Sequence, residues 1–290
     1  MDHPIVSRED VRRAYPDRPD EVRKYDYGLV TVIGGSEFYS GAPALSALAA
    51  FRGGADMARV IAPKRAADII ASFSPILAAY PLEGSHLTRS HVMELISMAN
   101  ASQQVSREHT SVVIGGGLGR SEETQDAVRE FISQISLPVV VDADAIHAIA
   151  KEPKRFYGRS LVVTPNKHEF ELLTGRSVRD LSHEDCVVAV QEEALRLGMT
   201  ILLKGRVDII SNGNETMLNK EESHFLSVRG VGDTLAGIVG ALLARGVGSP
   251  LACAVASYVN AKAGSMAAQE KGEGLVATDL IERIPEAIKG

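Results

Sequence analysis

Two cysteines in 290 residues, Cys186 and Cys253, form no C-x-x-C pair and accompany no histidine cluster at zinc spacing. That removes a disulfide framework and a structural metal, and leaves two buried free thiols as the expectation. The chain also lacks a Gly-Lys dipeptide, so it carries no P-loop. "GGGLGR" at 115–120 breaks the dinucleotide fingerprint, because Arg120 stands where the last glycine belongs. No apolar run approaches bilayer length, and "MDHPIVSREDVRRAY" has no apolar stretch behind a basic start, so no membrane is expected and the cytoplasm is. Positive charge is short as well: 31 Lys plus Arg against 37 Asp plus Glu give a net charge of -6, with no general attraction to nucleic acid. No repeat, low-complexity tract or domain-separating linker is visible.

A hydrophobic fraction of 45% supplies a substantial core. "LVTVIGG", "MARVIA", "SVVIGGG", "LPVVVDAD", "SLVVTP" and "MTILLKG" read as strands buried on both faces. "APALSALAAFRGG", "SEETQDAVREFISQI" and "DCVVAVQEEALRLG" between them have helical spacing, several closing on glycine. The alternation predicts an α/β fold with a mostly parallel sheet, whose ligands sit at the carboxyl ends of the strands. Residues 206–228 read as antiparallel hairpins turning at "SNGN", followed by two long helices, the second with Ser249 at N-cap and Pro250 at N1. Residues 1–27 are charged and weakly patterned: a surface arm, an interface or a lid.

"GVGDTLAG" at 230–237 carries the chemistry. Gly230 and Gly232 permit positive φ and leave their amides open, while Leu235, Ile238 and Leu242 give the following helix a core face. Amides of Gly230, Val231 and Gly232 at a helix start form an anion hole suited to a phosphoryl group in transfer. Asp233 beside it is expected to stay ionised in the helix dipole and to accept a proton. The plainer reading is a helix cap with punctuating glycines.

G-x-G-D opening a Gly- and Ala-rich helix near the C-terminus resembles the anion hole and catalytic Asp of ribokinase-like small-molecule kinases. Together with "VIGGSEFYSGAPALSALAAFRGGADMARV", "VIGGGLGR", "PVVVDADAI", "VVTPNKHEFELLTG" and "ILLKGRVDII", in that order, it is similar to the NAD(P)H-hydrate dehydratases from about residue 28 to residue 284. The resemblance implies a ribokinase-like three-layer αβα sandwich with a central mostly parallel sheet, filling residues 1–290 as one domain without an epimerase module. It implies dehydration of the S form of NADH or NADPH hydrate to NAD(P)H through a phosphorylated intermediate, with ADP or ATP as co-substrate and Mg2+. The implied assembly is a homo-oligomer, a tetramer among its forms, although core packing explains the alanine-rich C-terminal helices equally well. A kinase of a vitamin precursor or sugar would share Asp233, and a non-catalytic nucleotide-binding protein would share the fold.

Under the resemblance Asp233 is the catalytic base. Ala42, Gly117, Gly119 and Asn166 occupy substrate-contacting positions, which as plain structure would be turns and tight packing. Lys204, Gly205, Arg206, Val207 and Asp208 fall where the family holds nucleotide phosphates and ribose, with Gly232 completing that side; as plain structure Lys204 would be an exposed lysine ending a strand. No metal ligand is assigned. Asp142 could orient a magnesium-bound water or a loop, Asp144 reads as an N-cap, and Glu169 as an acid near the phosphates or a first-turn helix acid. Two positions depart from the family, which commonly has Thr at 231 and His at 166. Val231 keeps its backbone N–H, whereas Asn166 cannot become cationic, and His168 would point differently.

Overall fold

The computed structural model describes residues 3–107, 109–221 and 228–290. In chain order the elements are α1 (Arg8–Ala14), β1 (Leu29–Ile33), α2 (Gly41–Arg52), β2 (Met57–Pro63), α3 (Lys64–Phe73), β3 (Ala78–Leu82), α4 (Val92–Val105), β4 (Thr110–Ile114), α5 (Glu122–Gln134), β5 (Val139–Val141), α6 (Asp144–Ile149), β6 (Leu161–Val163), α7 (Lys167–Thr174), α8 (His183–Leu197), β7 (Thr200–Leu203), β8 (Asp208–Ser211), β9 (Thr216–Asn219), α9 (Val231–Ala244), α10 (Ser249–Lys271) and α11 (Ala277–Lys289).

The strands form one sheet in the order β3-β2-β1-β4-β5-β6-β7-β8-β9, parallel from β3 to β7 and antiparallel from β7 to β9. The expected strand residues are buried on both faces because period-two alternation sends neighbours into different helical layers. Val30, Val32, Val113, Val140 and Leu202 join α2, α9, α10 and α11, while Ile33, Val112, Ile114, Val139 and Val141 join α4, α5 and α6. The expected β8–β9 hairpin is present; the stretch 222–227 of the predicted irregular segment lies outside the described residues. Ser249 proves to be the first residue of α10 behind an N-cap at Gly248, one place from expectation.

Residues 4–14 dock on the body of the fold as a surface arm. The backbone of residues 4–6 pairs with Leu218 at the β9 edge, Val11 and Ala14 of α1 are buried, and Arg8 hydrogen-bonds the carbonyls of Ala287 and Ile288. The sheet runs outward in opposite senses from β1 and β4, so the loops leaving those two strands part and open a crevice between them.

Candidate active site

Glycines line that crevice because the backbone crowds there. After β1, the Gly35 N–H donates to Gly116 O at 2.8 Å, drawing the two strand-end loops together. Gly117 has φ +70, and a Cβ on it would lie 2.9 Å from Tyr39 Cβ. A Cβ on Gly116 would stand 2.9 Å from Asp233 Oδ1 and 3.0 Å from Ala42 Cβ, so Ala42, Gly116 and Asp233 form one floor. Above it opens a cleft of about 900 Å³, whose lining includes Ala42, Gly117, Gly119, Gly230 and Asp233.

Asp233 stands in the first turn of α9, and its carbonyl accepts from Ser46 Oγ of α2 at 2.9 Å. Gly230 takes the left-handed conformation (φ +97) that starts the helix, whereas Gly232 does not, so positive φ is needed once rather than twice. The Val231 N–H makes a long contact to Val228 O, 3.4 Å, while those of Gly232 and Asp233 have no backbone acceptor among the described residues. The Gly230 N–H likewise has none, so the open amides at this helix start are those of Gly230, Gly232 and Asp233. Val231 packs into the core, 7% exposed, where its side chain makes no polar contribution.

The expectation that Asp233 stays ionised is corrected to a carboxyl that still accepts a proton near neutral pH. Burial, and the nearby charge of Asp142, push its pKa up to about 7 against the partial relief given by Lys204 and Arg229. A helix dipole worth roughly 0.3–1 kcal/mol does not offset that desolvation.

Lys204 is not a free surface lysine. Its ammonium lies 3.1 Å from Asp142 Oδ1 and 4.0 Å from Glu169 Oε2, with its side chain 25% exposed, and it approaches within 3.5 Å of a Cβ built on Gly232. Burial alone would lower its pKa, but the two carboxylates outweigh burial and raise it, keeping a cation beside Gly232. Asp142, 4% exposed, also accepts from Thr164 Oγ1 at 2.6 Å. Lys204, Gly205, Arg206 and Val207 line a second cleft of about 400 Å³.

Several expected contacts are engaged in structure. Asn166 is the N-cap of α7: its Oδ1 accepts from the His168 and Glu169 amides, and Glu169 Oε2 accepts from the Asn166 N–H in return. His168 faces Arg179 at 3.1 Å rather than replacing a family histidine. Asp208 accepts from the Gly205 N–H at 2.8 Å and from Ser257 Oγ, so it shapes the 204–208 loop. The Gly119 N–H donates to Asp144 Oδ2 at 2.9 Å. Asp144 is not an N-cap. Ala143 holds that place with φ +48, a strained angle that turns Asp142 toward Lys204 and Asp144 toward Gly119 and Arg120. Sequence reasoning missed Arg120, Arg229 and Phe38 in the cleft wall; only their adjacency to the glycine motifs signals them.

No helix among the described residues is long and apolar enough to cross a membrane. The family model for NAD(P)H-hydrate dehydratase matches residues 30–286. The bifunctional NAD(P)H-hydrate repair enzyme of Pyrobaculum aerophilum is 43% identical over 275 residues, 94% of this chain and 52% of that protein. The chain thus spans about half the length of the bifunctional relatives it matches. The ADP-dependent (S)-NAD(P)H-hydrate dehydratase of Cenarchaeum symbiosum is 34% identical over 285 residues, 98% of this chain and 96% of that one. Among solved structures, the Bacillus subtilis ADP/ATP-dependent NAD(P)H-hydrate dehydratase co-crystallised with ATP/Mg2+ superposes with a TM-score of 0.80 at 24% identity, covering 100% of this chain and 99% of that one. A ribokinase-like superfamily protein from Enterococcus faecalis gives 0.84 at 21% identity, covering 99% and 95%. Likeness at these identities establishes the ribokinase-like fold.

Proposed function

The chain belongs to the NAD(P)H-hydrate dehydratase family, and from that premise we propose that it dehydrates the S form of NADH or NADPH hydrate to NAD(P)H at the expense of ADP or ATP. The observation that carries this reading is Asp233: a carboxyl poised at about 7, on a floor open to a bulky substrate, beside free helix amides and Lys204. A base titrating near working pH combines a useful deprotonated fraction with real proton affinity.

Asp233 takes the proton of the hydrate hydroxyl as its oxygen attacks the terminal phosphoryl group of the nucleotide. The Gly232 and Asp233 amides and Lys204 receive the charge on the phosphoryl oxygens. The new phosphate ester then leaves with the C–O electron pair, assisted by the ring nitrogen, and loss of a proton from the neighbouring carbon restores the dihydronicotinamide. The products are NAD(P)H, inorganic phosphate and AMP or ADP.

No group of three or more His, Cys, Asp or Glu among the described residues could cage a metal. Glu169 and Asp142, both beside Lys204, would accept from the waters of a Mg2+ carried in on the nucleotide phosphates. The ion, when bound, neutralises charge on the transferring phosphoryl group. Ala42, Gly117, Gly119 and Asn166 remain assigned to the substrate side through surface and backbone. The 204–208 loop remains assigned to the nucleotide, with Asp208 acting by shaping it. We place the activity in the cytoplasm, with residues 1–290 as one catalytic unit in an assembly of copies. Exposed Phe73, Ile76, Tyr80 and Met93 beside the open β3 edge support the assembly.

The test is incubation with NADH hydrate, ADP or ATP and magnesium, following NADH absorbance and phosphate release together. Equal yields are expected. Nucleotide consumed without NADH formed would refute the dehydratase reading, in favour of a futile nucleotidase if phosphate is released and of a kinase if the phosphoryl group stays on the substrate.

A further inference from the structure

Residues 36–39 form a rigid turn at the mouth of the cleft. The Ser36 N–H donates to Tyr39 O at 2.9 Å, the Tyr39 N–H donates to Ser36 O at 3.3 Å, and the Glu37 N–H donates to Ser85 O at 2.7 Å. Arg65 holds the Glu37 carbonyl from outside. The two aromatic rings of this turn are disposed differently. Tyr39 packs over Gly117 and under the Arg229 guanidinium, 5.6 Å from its centroid. Phe38 lines the same cleft with 81% of its surface exposed, more than any other large hydrophobic residue described. A large apolar side chain held open on a hydrogen-bonded turn at the rim of a ligand cleft is a surface for a planar ligand group.

We propose that Phe38 is a stacking platform for the adenine ring of the dinucleotide hydrate, and so a specificity residue for the half of the substrate that does not react. This rests on the dehydratase reading above. Chemistry fixes the direction of the substrate: the hydrated ring must reach Asp233 on the floor, so the adenosine end lies toward the mouth. The co-substrate is assigned above to the cleft at 204–207, whose lining does not include Phe38, so its adenine does not compete for that ring.

The test compares wild type with Phe38→Ala on NADH hydrate and on the hydrate of reduced nicotinamide mononucleotide, which has the reacting ring but no adenine. Loss of one base–aromatic stack predicts a KM for NADH hydrate raised roughly 5- to 150-fold. The kcat stays unchanged, because the stack is equally present before and during reaction. KM for the mononucleotide hydrate and for ADP or ATP stays unchanged, and Phe38→Trp restores tight binding. An unchanged KM for NADH hydrate, equal losses on both hydrates, or a shift in KM for ADP or ATP would overturn the proposal. So would a change in oligomer mass with KM unaffected, which would mean that a second copy covers the ring. If wild type regenerates no NADH, the dehydratase reading falls instead, and dissociation constants for NADH and the reduced mononucleotide decide the stack without turnover. Selective weakening of NADH in Phe38→Ala supports it, and equal constants refute it.

Discussion

Asp233→Asn should cost the protein its activity and make it more stable. The folded carboxyl titrates at about 7 against an ordinary value of 3.8. Between those values the unfolded chain has released the proton that the folded protein still holds. The folded state then binds more protons, so stability falls as pH rises through this window. The loss is complete above about 7 and absent below about 4. A shift of about 3 units corresponds to roughly 4 kcal/mol, which solvent at the partly exposed carboxyl screens to roughly 2 kcal/mol. Asparagine keeps the shape and carries no charge. In thermal unfolding without nucleotide or magnesium, the Asp233→Asn substitution should raise Tm at pH of about 8 by roughly 3 °C. At a pH of about 4 the two proteins should unfold together. Turnover should fall by roughly 10²–10⁴. A stability difference independent of pH, or a less stable variant at alkaline pH, would refute burial of this carboxyl as the source of its basicity.

Three further outcomes follow from neighbouring geometry. kcat/KM should decline as pH drops through about 7, and Lys204→Met should move that acid limb to higher pH while weakening nucleotide binding, because Lys204 holds the Asp233 pKa down; a limb that stays in place disproves the coupling. Val231→Thr should leave the rate near wild type, since Gly232 and Asp233 supply the free amides, and should cost roughly 1 kcal/mol in denaturant unfolding for the buried hydroxyl. Gly237→Ala should destabilise by roughly 1–3 kcal/mol or more, because its Cβ would lie 2.2 Å from Ser46 O where α9 meets α2; chemical denaturation reads it directly.

The fold was legible wherever a strand carried consecutive branched residues between two helical layers. β3 was not: its Ala-Ala-Tyr-Pro-Leu has no such run, and its proline is tolerated only because the strand lies at the sheet edge. Asp233 was legible as a local pattern, two glycines and an acid before an apolar helix. Its raised pKa was not, because the burial that causes it, and the charge of Asp142 that adds to it, arise only where distant strand ends meet α9. Asn166 and Asp208 show the reverse problem. The family resemblance implies ligand contact at both, yet their side-chain oxygens serve a helix cap and a loop, a use that sequence position alone does not separate from ligand contact.

The reversal of the sheet between β7 and β8 also decides where this molecule can be altered freely. Because β8 runs back, the Gly205–Val207 turn stays at the working end while residues 212–215 turn at the opposite one. Four residues of strand, roughly 13 Å, separate them. Exposed Asn214 is therefore an attachment point for a dye, a surface tether or an inserted peptide that leaves substrate traffic undisturbed.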